Sequence, residues 1–291
     1  MSTTAKNEIG IKAPDAQDIR LDNRFLDRYG PWAVVTGASS GIGREMALGL
    51  AEAGLDLVLV ARSQEVLDQL AAELHARYGI KTRVVAADLA PRTGAGAVEA
   101  ATSGLDAGLL VAAAGFGTSG PFLGASLEDE LEMLDVNCRA VLEMSLRFGR
   151  RFARRGRGGI VLMSSIVGFQ GTPNAANYAA TKAYVQVLAE ALHAELEPLG
   201  VDVLASAPGP TDSGFAARAG MRMGASLQPR DVAHSTLASL GRRSTVLPGA
   251  LSKLLAYSLV PLPKQARVRI MGRVMGGMTR HRREADASVD G

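Results

Sequence analysis

The sequence predicts a single α/β domain: a doubly wound parallel sheet of about seven strands, helices on both faces, and a helical extension at the carboxyl end. Three observations predict it. Short apolar runs alternate along the chain with longer stretches of helical period. Those runs are continuously apolar instead of alternating in and out, which is how strands read when helices cover both faces of a sheet. No internal repeat or Pro/Ser-rich linker divides the 291 residues, a length that one large α/β domain can fill.

The elements follow in order. Trp32–Thr36 (WAVVT) reads as the first strand, then comes glycine-rich Gly37–Gly43, then a helical pattern to Ala53 that Gly54 stops. Leu57–Ala61 (LVLVA) is the second strand, and Ser63 caps a helix to about Tyr78. Thr82–Ala86 (TRVVA), an Ala-rich helix near Gly96–Thr102 and the strand Leu109–Ala112 come next. One long helix is expected from about Glu128 to Arg154, ahead of the strand Ile160–Ser164 (IVLMS). Another from about Asn177 to Leu196 precedes Val201–Ala205 (VDVLA). The boundaries expected are an N-terminal extension over 1–30, the α/β domain over 31–248, and an extension over 249–291 that is apolar and then basic.

Composition narrows the function classes. With 47% hydrophobic and 21% charged residues the chain has ample core and is not a disordered segment. A lone cysteine, Cys138, forms no intrachain disulfide, and four scattered histidines (His75, His193, His234, His281) make no metal cluster, so no metal is expected. Seven basic residues and no acid lie between Lys264 and Arg283, and removing those seven from the net +3 leaves −4 for the rest. A second basic cluster, Arg147 to Arg157, falls at a helix end where cations complement the exposed carbonyls. It lacks interleaved aromatics beyond Phe148 and Phe152, so no nucleic-acid partner is expected. Met1–Arg20 is polar with acids and reads as no targeting signal. The longest apolar stretch, Leu251–Leu262, is broken by Lys253 and Pro261, so a cytoplasmic protein is expected.

In doubly wound sheets ligands bind outside the carboxyl ends of the strands. After the first strand, Gly37, Gly41 and Gly43 allow a tight turn, close approach of a pyrophosphate to backbone N–H groups, and close packing of the following helix. The second strand ends at Arg62, whose guanidinium suits a 2′-phosphate, where a carboxylate would suit a ribose diol; this points to NADP(H) over NAD(H). Tyr178 and Lys182 are four apart on one helix face, where an ammonium lowers a phenol's pKa toward working pH. Ser164 and Ser165 end the preceding strand at the same sheet edge and offer hydroxyls to a carbonyl.

Over most of residues 31–247 the sequence resembles the short-chain dehydrogenase/reductase family, a Rossmann-type fold. Its TGxxxGxG is matched by Thr36 to Gly43, including Ser39, Ser40 and Ile42, and its Tyr-x-x-x-Lys by Tyr178 and Lys182. Its serine, thirteen residues before the tyrosine, matches Ser165, and its asparagine matches Asn137. Its adenine-flanking Asp-Leu pair matches Asp88 and Leu89, and its Pro-Gly motif matches Pro208 and Gly209, with Thr211 and Ser213 beyond. The family's Asn-Asn-Ala-Gly appears instead as Ala112-Ala113-Ala114-Gly115, so cofactor contact through Ala114 and Gly115 is expected with some loss of sheet hydrogen bonding. Tyr29–Val35 also looks like the entry to members acting on steroids or long acyl ketones.

The resemblance implies hydride transfer at the nicotinamide. It gives Tyr178 the proton, Ser165 the carbonyl oxygen, Lys182 the tyrosine pKa and the ribose, and Asn137 a water relay to Lys182. Met221, Met223, Gly214, Gly220 and Gly224 compose a mobile apolar lid, and with Phe116, Phe122 and Phe169 they favour an apolar ketone or aldehyde (acyl, steroid-like or aromatic) as substrate. Small residues Ala179, Ala180, Ala183, Ala191 and Ala194 on the tyrosine helix suit a homo-oligomer, a dimer or tetramer. Two other readings fit the sequence: a non-catalytic NADP-sensing protein on the same fold, and a peripheral membrane enzyme acting on lipids through Leu247–Leu262 and the basic tail. Against the second stands the reading that this segment completes the substrate pocket or a subunit interface.

Overall fold

The computed structural model of the chain describes residues 23–221 and 224–287, with the side chains of 23, 217 and 280–287 excepted; the Met1–Arg20 reading, Met223 and the side chains of the last basic residues lie outside it. Strands β1 (Trp32–Thr36), β2 (Asp56–Ala61), β3 (Thr82–Ala86), β4 (Ala107–Ala112), β5 (Gly158–Met163), β6 (Val201–Ser206) and β7 (Thr245–Val246) form one sheet in the order β3-β2-β1-β4-β5-β6-β7. Every pairing is parallel. The strand order reverses between β1 and β4, which opens the crevice in which such sheets bind ligands.

Neighbouring residues of one strand serve opposite cores. Val35, Leu57 and Leu59 pack into one apolar layer, and Val34, Val58 and Val60 into the other, so a strand buried on both sides has no polar position to show. Helices α2 (Gly41–Glu52), α3 (Gln64–Tyr78) and α9 (Pro229–Ser239) contribute to the first layer through residues such as Met46, Leu67 and Val232. Helices α4 (Gly94–Thr102), α6 (Ala140–Arg155) and α7 (Ala176–Leu196) contribute to the second through Val98, Phe148 and Val185.

Three expectations change. The long helix expected from Glu128 is α5 (Leu127–Leu134) and α6, joined by a wide π turn at Asp135–Arg139. Strand β5 stops at Met163, so Ser164 and Ser165 stand just beyond the sheet. The arginine cluster ties elements together in addition to sitting at a helix end: Arg147 pairs with Glu99, Arg151 donates to the Thr102 carbonyl (2.9 Å), and Arg155 pairs with Asp106 (3.0 Å) and reaches the Gly30 carbonyl.

Residues ahead of the first strand are part of the packing. Helix α1 (Asn23–Tyr29) lays Phe25 and Tyr29 into the first core layer. Gly159 in β5 leaves room for the Tyr29 ring, which a Cβ there would approach to 2.9 Å. The Tyr29 hydroxyl donates to buried Asp202 in β6 (2.6 Å), and Arg28 donates to the same carboxylate (2.8 Å). Hydrogen bonds to a buried charge contribute about 1.5–3 kcal/mol. Tyr29→Phe, which keeps the ring and removes one donor, should lower the unfolding free energy by about that amount with an unchanged urea m-value; a loss within error of zero would show that the Arg28 contact alone satisfies Asp202.

Candidate active site

A cavity of about 740 Å³ opens at the carboxyl ends of the strands and runs from the glycine turn after β1 to the two C-terminal helices, α10 (Gly249–Leu259) and α11 (Lys264–Ala287). Its first part is backbone. Gly37 and Gly41 take φ values of +68° and +54°, which side chains disfavour. A Cβ on Gly43 would lie 2.3 Å from the Gly37 carbonyl, so only glycine lets α2 seat on this turn. Ser63 and Ser126 cap α3 and α5 by accepting from Val66 and Asp129 N–H groups, whereas Ser40, at the start of α2, makes no such bond. The first N–H groups of α2 therefore open onto the cavity, a donor set that fits a phosphate.

The departure at Ala112-Ala113 has a local compensation. Ala114 N–H donates to Thr36 Oγ1 (3.2 Å), which itself donates to the Val111 carbonyl (3.4 Å). Thr36 thus bridges β1 and the end of β4, a hydrogen-bonded tie at the junction where the asparagine is missing. Gly37 also lies close enough that a Cβ would meet Ala114 N at 2.8 Å.

Asn137 sits in the π turn, 1% exposed. Its Nδ2 donates to the Phe116 carbonyl (2.8 Å) and to Thr181 Oγ1 (3.2 Å), and its Oδ1 accepts from Phe116 N–H (3.2 Å). Thr181 Oγ1 donates in turn to the Tyr178 carbonyl (2.7 Å). The amide joins the loop after β4 to the helix that carries the tyrosine.

The two serines separate. Ser164 Oγ donates to the Lys182 carbonyl (3.0 Å) and is committed to holding α7. Ser165 Oγ donates to the Pro208 carbonyl (3.3 Å) and lines the cavity together with Tyr178. Tyr178 lies against Phe215 (ring centroids 5.1 Å apart) and over Gly117, where a Cβ would come within 2.9 Å of its ring. Burial pushes its phenol pKa up and Ser165 pulls it down. Lys182 Nζ donates to the Met163 carbonyl (2.8 Å), 5.7 Å from the Tyr178 ring centroid, and burial lowers its pKa to about 8. The ammonium expected to lower the phenol's pKa donates here to the Met163 carbonyl.

On the far side, Gly209 N–H donates to Ser252 Oγ of α10 (2.8 Å) and Thr211 Oγ1 donates to the Gly209 carbonyl (3.0 Å). Arg62, Asp88, Leu89, Ala114, Gly115 and Pro208 all line the cavity with the residues above. Asn137 does not line it but stands behind Phe116, which does. The cradle left by the glycines, the open donors of α2 and the guanidinium after β2 fit a phosphorylated dinucleotide.

Sequence reasoning missed several wall residues. Arg218, on short helix α8 (Phe215–Arg218), lines the cavity with its guanidinium 4.1 Å from the Phe116 ring centroid, and nothing local in the sequence marks it. Met271, Met275 and Met278 on α11 form an i, i+4, i+7 stripe into the cavity, a signal that was legible. Two aromatic expectations are corrected: Phe122, 67% exposed, and Phe169, 39% exposed, do not line the cavity, because their 3₁₀ turns carry these two rings outward. Met221, Gly214 and Gly224 line it and Gly220 does not. Among the described residues no group of three or more His, Cys, Asp or Glu could hold a metal, and no helix is long and apolar enough to cross a membrane.

The family model for short chain dehydrogenases matches residues 31–223. A very-long-chain 3-oxoacyl-CoA reductase from Phaeosphaeria nodorum is 38% identical over 63% of the chain, which spans only 56% of that protein. A 7beta-hydroxysteroid dehydrogenase from Collinsella aerofaciens is 31% identical over 78% of the chain and 89% of its own length. Among solved structures, a 7beta-hydroxysteroid dehydrogenase superposes with a TM-score of 0.79 at 28% identity, covering 85% of this chain and 98% of its own. A short-chain dehydrogenase from Sphingobium yanoikuyae in complex with NADPH gives 0.72 at 31% identity, covering 80% and 94%. A family match that runs from β1 through β6 and takes in the glycine turn, Ser165, Tyr178 and Lys182 makes this chain a member of the short-chain dehydrogenase/reductase family of oxidoreductases.

Proposed function

We propose that the chain is an NADPH-dependent reductase of a bulky apolar ketone or aldehyde, with an acyl, steroid-like or aromatic skeleton, working in reverse on the alcohol. The observation that carries this reading is the placement of Ser165, Tyr178 and Lys182 together on one cavity whose outer wall is aliphatic and methionine-rich. A very-long-chain 3-oxoacyl group and a steroid, named in two relatives, are both large and mostly apolar.

The glycine turn with Ser39, Ser40 and Ile42 would hold the pyrophosphate, Arg62 the 2′-phosphate, and Asp88 and Leu89 the adenine. Ala114, Gly115, Pro208, Gly209 and Thr211 would flank the nicotinamide, and Tyr178 and Lys182 its ribose. When bound, the cofactor supplies a hydride to the carbonyl carbon. Ser165 donates a hydrogen bond to the carbonyl oxygen, and Tyr178 gives that oxygen its proton as charge develops. A phenol raised by burial is protonated at neutral pH and so ready as an acid. Asn137 orients Phe116 and Thr181 on either side of this cluster.

Subunit pairing through α6 and α7 is part of the proposal. Leu142 and Leu146 on α6 and Val187 on α7 are exposed, beside Ala180, Ala191 and Ala194 on α7. Sedimentation at micromolar concentration should give a dimer or larger; a monomer mass would refute the pairing.

Tyr178→Phe should reduce turnover by about 10²- to 10⁴-fold with NADPH still bound, whereas Lys182→Met should weaken cofactor binding as well. Because burial holds the Lys182 pKa near 8, below the ordinary 10.5, its ammonium is present below that pH and lost above it. NADPH affinity and reduction should therefore fall as pH rises through about 8, and a flat profile from pH 7 to 9 would remove Lys182 from that role.

Arg62→Ala should weaken NADPH binding by about 1.5–3 kcal/mol, the contribution of a charged hydrogen bond, and leave NADH nearly unchanged. Equal affinity of the wild type for NADH and NADPH would overturn the cofactor assignment.

A further inference from the structure

Helix α10 has two apolar faces. Leu251, Leu255 and Leu259 line the cavity. Leu254, Tyr257 and Val260 point away from it and are 66%, 63% and 57% exposed, and exposed Pro261 and Pro263 follow at the turn into α11. The turn is held in place: Arg267 Nε donates to the Leu262 carbonyl (2.8 Å) and its guanidinium reaches the Val260 carbonyl. Along the hairpin that carries this apolar tip the charge has one sign. Lys253, Lys264, Arg269 and Arg273 are exposed, and from Gly249 to Arg283 the sequence contains no acid.

An exposed apolar patch rimmed by charge marks a docking surface. A second copy of the chain, meeting it across a twofold axis, would set one acid-free basic hairpin against another, and like charges across an interface are repulsive. An anionic lipid surface offers the complement to both features, since apolar side chains enter the acyl boundary while Lys and Arg meet headgroup phosphates. We infer that the α10–α11 hairpin docks on anionic membranes and places α10, whose inner face lines the cavity, against the bilayer. The wall between lipid and cavity is then one helix, about 10 Å across, with aliphatic side chains on both sides. This rests on the proposed function only for what enters the cavity; the docking itself is read without turnover.

The test is flotation of the full chain with phosphatidylcholine vesicles, with and without phosphatidylglycerol, at low and high salt. The protein should float with the anionic vesicles at low salt and be released by high salt. Leu254→Asp with Tyr257→Asp should bind at least about tenfold more weakly, and Lys253→Gln with Lys264→Gln should weaken anionic binding by a similar factor. Melting temperature and NADPH affinity should be unchanged in both, since none of these side chains lines the cavity. Docking is overturned if the wild type stays in the aqueous fraction at low salt, or if both double variants float as well as it does. It is also overturned if the Leu254/Tyr257 variant instead loses mass in sedimentation, because the face would then belong to a second copy. Reduction of a water-soluble ketone without vesicles tests the proposed activity separately.

Discussion

A single buried amide holds this site together. Asn137 has three hydrogen bonds to make in an apolar interior, and it finds them on two different elements, the loop after β4 and helix α7. An α-helical turn at this point would aim the side chain elsewhere, and a buried amide without partners costs a few kcal/mol. The π turn at Asp135–Arg139 places it, at the expense of regular helix hydrogen bonding. Phe116, Thr181 and, through Thr181, the start of the tyrosine helix take their positions from it.

Electrostatics at the site are governed by burial more than by charge pairing. The phenol of Tyr178 is pushed up and the ammonium of Lys182 down, each toward its neutral form, by the same exclusion of water. The specific influences on this pair are local: Ser165 lowers the phenol, and Cys138 raises the ammonium, whose Nζ donates to the Met163 carbonyl. A dry site of this kind strengthens each remaining hydrogen bond, which is what proton transfer to a developing alkoxide requires.

Much of this was legible in the sequence. Strands buried on both faces show no alternation, and Val34 and Val35 serving opposite layers is the reason. The glycine turn and the Tyr178–Lys182 spacing were legible because each is a local constraint. The π turn was not, since the helical pattern continues on both sides of it. Neither was the difference between Ser164 and Ser165, which depends on the carbonyl that α7 presents. The departure at Ala112-Ala113 suggested a weakened sheet; the tie that Thr36, distant in sequence, makes at this junction was not legible. Arg218 reaches the cavity only through the fold of the segment after β6.

The Ser252–Gly209 hydrogen bond joins α10, which lines the cavity, to the Pro208–Gly209 loop that the proposed function sets beside the nicotinamide. Two ligands that press on the ends of one linked pair are not independent, and thermodynamic reciprocity makes the coupling equal in both directions. Under the proposed function, a substrate that shifts α10 relative to that loop would change cofactor affinity by the same factor by which the cofactor changes its own. Discrimination between large and small substrates would then show up as a difference in nucleotide affinity.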